Sequence, residues 1–297
     1  MKKILLALLA LLALLTYTAT WAEASVSVVD DTGKRVTLAH PARRVISMAP
    51  HVTELLFAAG GGERVVGAMN YSDYPAAAKS IPLIGSNSQI DLERVVALKP
   101  DLLVVWQSGN TARQLEQLAS LGIPVFYSEP RKLAQVADSL LRFGQLLGTE
   151  PVARAAANEY NRRIDSLAAT YGKRAPVRVF YQVWDRPLYT LNGEQIASDA
   201  IRLCGGQNIF AGLSVVAPEV SVEAVLQQDP EAIVGGVPHD PNDRGLSIWK
   251  AWPALTAVRR GNLFTVDDVL LTRPGPRIAE GAAQLCEQLE RARQRRR

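Results

Sequence analysis

The sequence predicts an α/β fold of two lobes joined by one long helix. Three observations carry that reading. Short apolar strands alternate with helices in both halves of the chain, which means a mostly parallel sheet in each lobe. A continuous helical pattern separates the halves at residues 149–172. A segment of the first half recurs in the second at a fixed offset.

Taken in order, the chain opens with a leader. Lys2 and Lys3 precede Ile4 to Leu15, a run of 12 residues made only of Ile, Leu and Ala. A bilayer span needs about 20 apolar residues, so this run fits the core of a cleavable signal peptide. Ala22-Glu23-Ala24 supplies the small-residue cleavage pattern, giving a signal peptide over residues 1–24. No cysteine follows the run, so a lipid anchor lacks its attachment residue. The expected location is the periplasm.

The exported part begins with Val26 to Leu38, alternating around Asp31-Thr32-Gly33, which reads as a hairpin. Arg44 to Met48 reads as a buried strand, broken by Pro50. A helix is expected from Thr53 through Ala59, stopping at Gly60-Gly61-Gly62. Val65 to Ala68, Leu102 to Val105 and Val125 to Tyr127 read as further strands, with a helix at Ala112 to Leu121.

From Thr149 to Tyr171, Val152, Ala155, Ala156, Tyr160, Ile164, Leu167 and Ala168 recur at helical spacing. Pro151 stands near the start, where proline is tolerated, and Gly172 ends the run. At ~1.5 Å per residue the helix would span about 35 Å. Strand–helix alternation restarts at Val177 to Tyr181. The expected division is a lobe at 25–148, a connecting helix at 149–172 and a second lobe at 173–297.

The repeat supports two lobes. Residues 91–104 read DLERVVALKPDLLV and residues 221–234 read SVEAVLQQDPEAIV, an offset of 130 throughout. Glu93 thereby matches Glu223, and Pro100 matches Pro230. Both glutamates fall in the first turn of a helix, where the dipole favours a carboxylate. That stabilisation alone accounts for them as well as a functional use does.

Composition narrows the function. The chain has 297 residues with 48% hydrophobic, 21% charged and a net charge of +4, an ordinary globular mix. Arg291, Arg293, Arg295, Arg296 and Arg297 crowd the C-terminus. Without interleaved aromatics they read as a frayed, solvated helix end rather than a nucleic-acid site. The two cysteines, Cys204 and Cys286, point to a disulfide in an oxidising compartment. The rival is a catalytic thiol, but His40, His51 and His239 have no spacing that points to either cysteine.

Motifs for a reaction are missing. Gly33-Lys34 is followed by Arg35, so there is no P-loop, and Gly212-Leu213-Ser214 lacks the closing glycine of a nucleophile elbow. Three scattered histidines make a poor metal site. His51 lies just past a strand end, where ligands of α/β lobes bind, and otherwise reads as a surface residue starting a helix. Aromatics, in contrast, follow several strand ends: Tyr71, Tyr74, Trp106, Trp184 and Tyr189. They suit a large flat ligand, or else pack loops.

Five stretches give the chain a resemblance to a known family: YSDYP at Tyr71 to Pro75, LERVVALKPDLLVVW at Leu92 to Trp106, QLASLGIPV at Gln117 to Val125, CGGQNIF at Cys204 to Phe210, and PRIAEGAAQLC at Pro276 to Cys286. From about Arg44 to Leu289 it resembles the substrate-binding family of ABC importers for cobalamin, haem and ferric siderophores. YSDYP, Trp106 and the paired cysteines favour the cobalamin branch.

The resemblance implies two Rossmann-like lobes on a single rigid helix, with a ligand cleft between them and little closure. It implies a monomer that binds a cobalamin-like corrinoid as cargo, needs no cofactor, and serves an inner-membrane ABC permease with its ATPase. Tyr71 and Trp106 would line the cleft, and Tyr189 replaces a phenylalanine there. Glu93 and Glu223 would dock the two lobes onto permease arginines, and Cys204 would pair with Cys286. Asn87 and Ala217 stand where relatives carry tryptophan. The ligand-contacting segment of the family aligns as Val269 to Arg273 and shares only Arg273, which with Asn87 is then expected at the ligand, leaving Asp267 or Asp268 to supply an acid in a shifted register. Trp184 has no aromatic counterpart in those relatives and would compensate for the missing tryptophans. The alternatives are haem or a ferric siderophore as ligand, an exported corrinoid- or metal-processing enzyme, or an adaptor.

Overall fold

The computed structural model describes residues 25–237 and 243–296. The signal peptide expected over 1–24, His239 and Arg297 lie outside the described residues. β1 (Val26–Val29) and β2 (Arg35–Leu38) form the expected antiparallel hairpin. Asp30 ties its turn, accepting from the backbone N–H of Thr32 and Lys34, each at 2.9 Å.

The first sheet contains β3 (Val45–Met48), β4 (Val65–Ala68), β5 (Leu102–Trp106) and β6 (Val125–Ser128). All pairings are parallel, in the order β4-β3-β5-β6. The second contains β7 (Val177–Gln182), β10 (Gly206–Asn208), β11 (Ala232–Gly236) and β12 (Leu263–Val266), in the order β10-β7-β11-β12. The two orders are the same arrangement, with the second strand outside the first. The sequence offset of 130 lays β5 on β11 end to end. Between β7 and β10, β8 (Trp184–Asp185) and β9 (Leu188–Tyr189) make a short antiparallel ribbon.

Helices cover both faces of each sheet. In the first lobe they are α1 (Pro50–Ala58), α2 (Leu92–Ala97), α3 (Ala112–Ala119) and α4 (Leu133–Leu147). The connecting helix α5 runs Glu150–Tyr171. In the second lobe are α6 (Ile196–Leu203), α7 (Val222–Gln228), α8 (Thr256–Arg259), α9 (Asp268–Thr272) and α10 (Ile278–Gln294). Successive strand residues point to opposite faces, so each strand feeds two apolar layers. Ile46, Met48, Leu103 and Val105 pack with Val95 and Leu118 on the outer face of the first sheet. Phe180 and Ile233 pack with Val225 and Trp249 on that of the second. The other faces of both sheets belong to one continuous apolar cluster, which includes Leu55, Phe143, Tyr160 and Leu285. The lobes therefore share packing as well as a connecting helix. Tyr160 ties the connecting helix to the first lobe by donating its hydroxyl to the Leu133 carbonyl at 2.9 Å.

Three details depart from the sequence reading. The first helix begins at Pro50, not after Thr53. Proline's fixed φ suits the first helical position, so the residue that ends β3 also starts α1. α4 was absent from the expected elements, although its buried Leu133, Val136, Leu140, Phe143 and Leu147 follow helical spacing. The arginine-rich C-terminus is not frayed. Arg293 donates to the Cys204 and Ala175 carbonyls, Arg295 to the Gly261 carbonyl and Arg296 to the Pro176 carbonyl and the Glu231 carboxylate. These guanidiniums cap open backbone carbonyls beside the starts of β7 and β12, which ties down the last helical turn.

Candidate ligand cleft

In α/β sheets the carboxyl ends of the strands are the ligand edge, above all where the strand order reverses. In the first lobe that reversal lies between β3 and β5. A hollow of about 230 Å³ opens there. Met48 at the end of β3 with Ala49 and Pro50 beyond it, Met69 to Tyr71 after β4, and Trp106 at the end of β5 with Gly109 beyond it form its walls. Ser86 and Asn87 close one side, and Arg273 enters from the second lobe. A smaller recess continues from Trp106 between the lobes, bounded by Glu129 and Arg131 on one side and by Gln195, Val216 and Pro274 on the other.

Tyr71 is 78% exposed and has φ 66°. A non-glycine residue in the left-handed region is held there by its surroundings. The neighbours supply the restraint. Asn70 donates its N–H to the Gly85 carbonyl, and Ser72 donates its own to the Met69 carbonyl. The buried hydroxyls of Ser47, Thr53 and Ser72 form a chain at 2.7 and 3.0 Å, pinning this loop to β3 and α1. The result is a phenol ring presented at the mouth of the hollow.

Trp106 closes the strand run that precedes it, and its ring meets His51 edge-on at 5.6 Å. His51 is 3% exposed, so the structure replaces the expected surface histidine with a buried one under the hollow. Starting the helix at Pro50 turns His51 inward. Burial first, and the positive Arg273 second, lower its pKa from 6.5 to about 3, so the ring is neutral at ordinary pH. Asn87 is exposed and its carbonyl accepts from Gln114 Nε2 at 3.1 Å.

Arg273 belongs to a charged junction between the lobes. It lies 3.6 Å from Glu54 and 3.5 Å from Asp73. Glu54 accepts two hydrogen bonds from Arg277, at 2.9 Å from Nε and 2.5 Å from Nη2. The hydrogen bonds to Glu54 raise the Arg277 pKa. The Arg277 guanidinium also covers the Tyr74 ring at 4.0 Å, a cation–π geometry. Glu54, Arg277 and Tyr74 then line a second cavity of about 410 Å³, on the side of α5. It lies away from the reversal point and is not the candidate cleft.

Of the sequence candidates, Tyr71, Asn87, Trp106 and Arg273 come together at the hollow. Trp184 and Tyr189 do not join them. They face each other across the β8–β9 ribbon beyond the end of β7, and Trp184 Nε1 donates to the Arg186 carbonyl at 3.0 Å. Asp267 caps α9, accepting from the Leu270 N–H at 3.3 Å. Glu54, Asp73, Arg277 and Gly109 were missed. A signal for Glu54 existed: it is the one acid within the otherwise apolar run Leu55-Leu56-Phe57-Ala58-Ala59 and its preceding turn.

Glu93 and Glu223 are both exposed second residues of their helices, following the capping side chains of Asp91 and Ser221. Both helices start near the ligand edge. Ile84 donates to Ala68 at the end of β4 and accepts from Asp91, and Val220 donates to Leu188 beyond β7. Cys204 and Cys286 form the disulfide, joining α6 to α10. Among the described residues, no group of three or more His, Cys, Asp or Glu side chains is placed to hold a metal, and no helix is long and apolar enough to cross a membrane.

Residues 45–270 match the family described as periplasmic binding protein, and the chain belongs to that family. It is a binding protein, not an enzyme. It is 38% identical over 251 residues to the Vitamin B12-binding protein of Yersinia pestis (strain Pestoides F), covering 84% of this chain and 88% of the relative. The crystal structure of the periplasmic Vitamin B12 binding protein BtuF of Vibrio cholerae superposes with a TM-score of 0.80 at 35% identity, over 85% of this chain and 98% of that one. A periplasmic haem-binding protein from Pseudomonas aeruginosa superposes with a TM-score of 0.70 at 26% identity, over 82% and 91%.

Proposed function

We propose that this protein is the periplasmic receptor of an ABC importer, binding one cobalamin-like corrinoid in the cleft and passing it to an inner-membrane permease with its ATPase. The observation that carries the reading is the hollow at the strand reversal, with exposed Tyr71 and half-buried Trp106 and Arg273 around it, in a chain so similar to two vitamin B12-binding proteins. The corrinoid is cargo and the protein holds no cofactor.

Each residue has a part in this reading. Tyr71 and Trp106 give apolar faces to the ring system. Asn87 and Arg273 offer hydrogen bonds to its amide periphery. Trp184 and Tyr189 stand on the β8–β9 ribbon outside the hollow and would meet the cargo from the second lobe. Glu93 and Glu223 dock the lobes onto permease cations, as two exposed carboxylates at matching positions of the repeat. The protein acts as a monomer divided at 25–148, 149–172 and 173–297, and the leader at 1–24 carries it to the periplasm. The shared apolar cluster and the single connecting helix favour small changes in cleft width.

One observation supports a second reading, haem. The exposed Tyr71 phenol is an oxygen donor for ferric iron, whereas His51 is buried and its ring is taken up by Trp106 and by Ser128 at 3.5 Å. Absorbance of the protein purified from its native cells tests both. A corrinoid spectrum supports the proposal, and a Soret band would replace it with haem.

A further inference from the structure

Glu54 stands apart in the cleft's surroundings. Its side chain is 3% exposed, yet it neither lines the hollow nor belongs to the apolar clusters. Its two partners come from the other lobe, 219 and 223 residues further along the chain. Arg277 forms a two-pronged bond to it from the start of α10, and Arg273 approaches it from the end of α9. On the first-lobe side Asp73 lies within reach of Arg273, and Tyr74 underlies Arg277. Segment 273–277 of the second lobe is therefore gripped by α1 and by the loop after β4. That loop also carries Tyr71.

Buried ion pairs contribute little net stability compared with apolar residues of the same shape. Their geometric demand is the distinctive feature, because a guanidinium fork meets a carboxylate in one orientation. An apolar pair at this junction would fill space but would leave Arg273 free to swing. We propose that Glu54 is a positioning residue for ligand binding: by clamping Arg277 it fixes the spacing of the two lobes, and by attracting Arg273 it holds that guanidinium at the hollow. The second half of the inference rests on the functional reading above; the first does not.

Two readouts on the exported chain separate these parts. Spin labels at exposed Ser120 in the first lobe and Lys250 in the second report the interlobe distance. Calorimetry with cyanocobalamin reports affinity. Glu54→Gln should broaden the distance distribution and weaken binding about tenfold or more. Adding Arg273→Met to Glu54→Gln should cost little further affinity, because residues acting through one another are not additive. If Glu54→Gln fails to fold, Arg277→Lys keeps the charge, loses the fork and should show the same broadening. An unchanged distance distribution in these variants overturns the clamp. Losses that multiply in the Glu54→Gln, Arg273→Met double variant overturn the route through Arg273. Should the unaltered protein bind no cyanocobalamin, the functional reading fails while the distances still decide the clamp.

Discussion

Gly109 lies so close to the Trp106 indole that a Cβ at position 109 would stand 1.9 Å from Trp106 Cε3. Real contacts never come so near, so only glycine lets the loop after β5 fold over the ring. The ring is also braced from below by His51. Gly109→Ala should therefore tilt or expel the indole, leave the sheets intact, and weaken cyanocobalamin binding about tenfold or more. Tryptophan fluorescence titration checks it, with far-ultraviolet circular dichroism as the control. Unchanged affinity would count against Trp106 as a wall of the site.

His51 links stability to pH. Its folded pKa of about 3 lies below the usual 6.5, so the unfolded chain binds the proton first. Its contribution is fully present above pH 6.5 and is lost as the pH falls toward about 3. Over that window the loss approaches about 1.4 kcal/mol per pH unit. Urea unfolding at several pH values should give a shallower slope for His51→Gln than for the unaltered protein. Equal slopes would mean that His51 is not the buried neutral group.

The architecture was largely legible because strands and helices bury themselves periodically. The offset pairing Glu93 with Glu223 showed a matching helix–strand unit in each lobe, while the order of the strands left no mark in the local pattern. Tyr71, Trp106 and Arg273 were legible as single residues at strand ends or in shared segments. Their meeting came only from the resemblance and not from any local pattern, since Arg273 reaches the hollow from the other lobe, 167 residues beyond Trp106. His51 misled because a proline that ends a strand can equally begin a helix, which reverses the side on which the next residue falls. Glu54 was marked by its apolar neighbours, but its partners were hidden: they lie more than 200 residues away, where no local pattern points.

The disulfide should matter to stability more than to shape. Cys204 and Cys286 are fully buried and 82 residues apart. Closing so long a loop restricts the unfolded chain by about 4–5 kcal/mol in the chain-entropy model. Replacing both with serine or alanine should lower Tm by roughly 10 °C. Because both sulfurs are shielded, a reductant should act slowly on the folded protein and quickly once denaturant is present. Calorimetric melting and thiol labelling check the two statements.

Docking can be separated from binding. Glu93→Arg with Glu223→Arg reverses two exposed charges outside the hollow, so cyanocobalamin affinity should stay within about twofold. Uptake by cells relying on this receptor should be abolished, since like charges then face the permease cations. Normal uptake would remove these glutamates from the docking role.

The central claim is that the cleft holds a corrinoid, and titration calorimetry of the purified exported chain with cyanocobalamin tests it most directly. The account predicts saturable heat with one ligand per chain and a rise in Tm on binding. Absence of both heat and thermal shift at tens of micromolar ligand would contradict it.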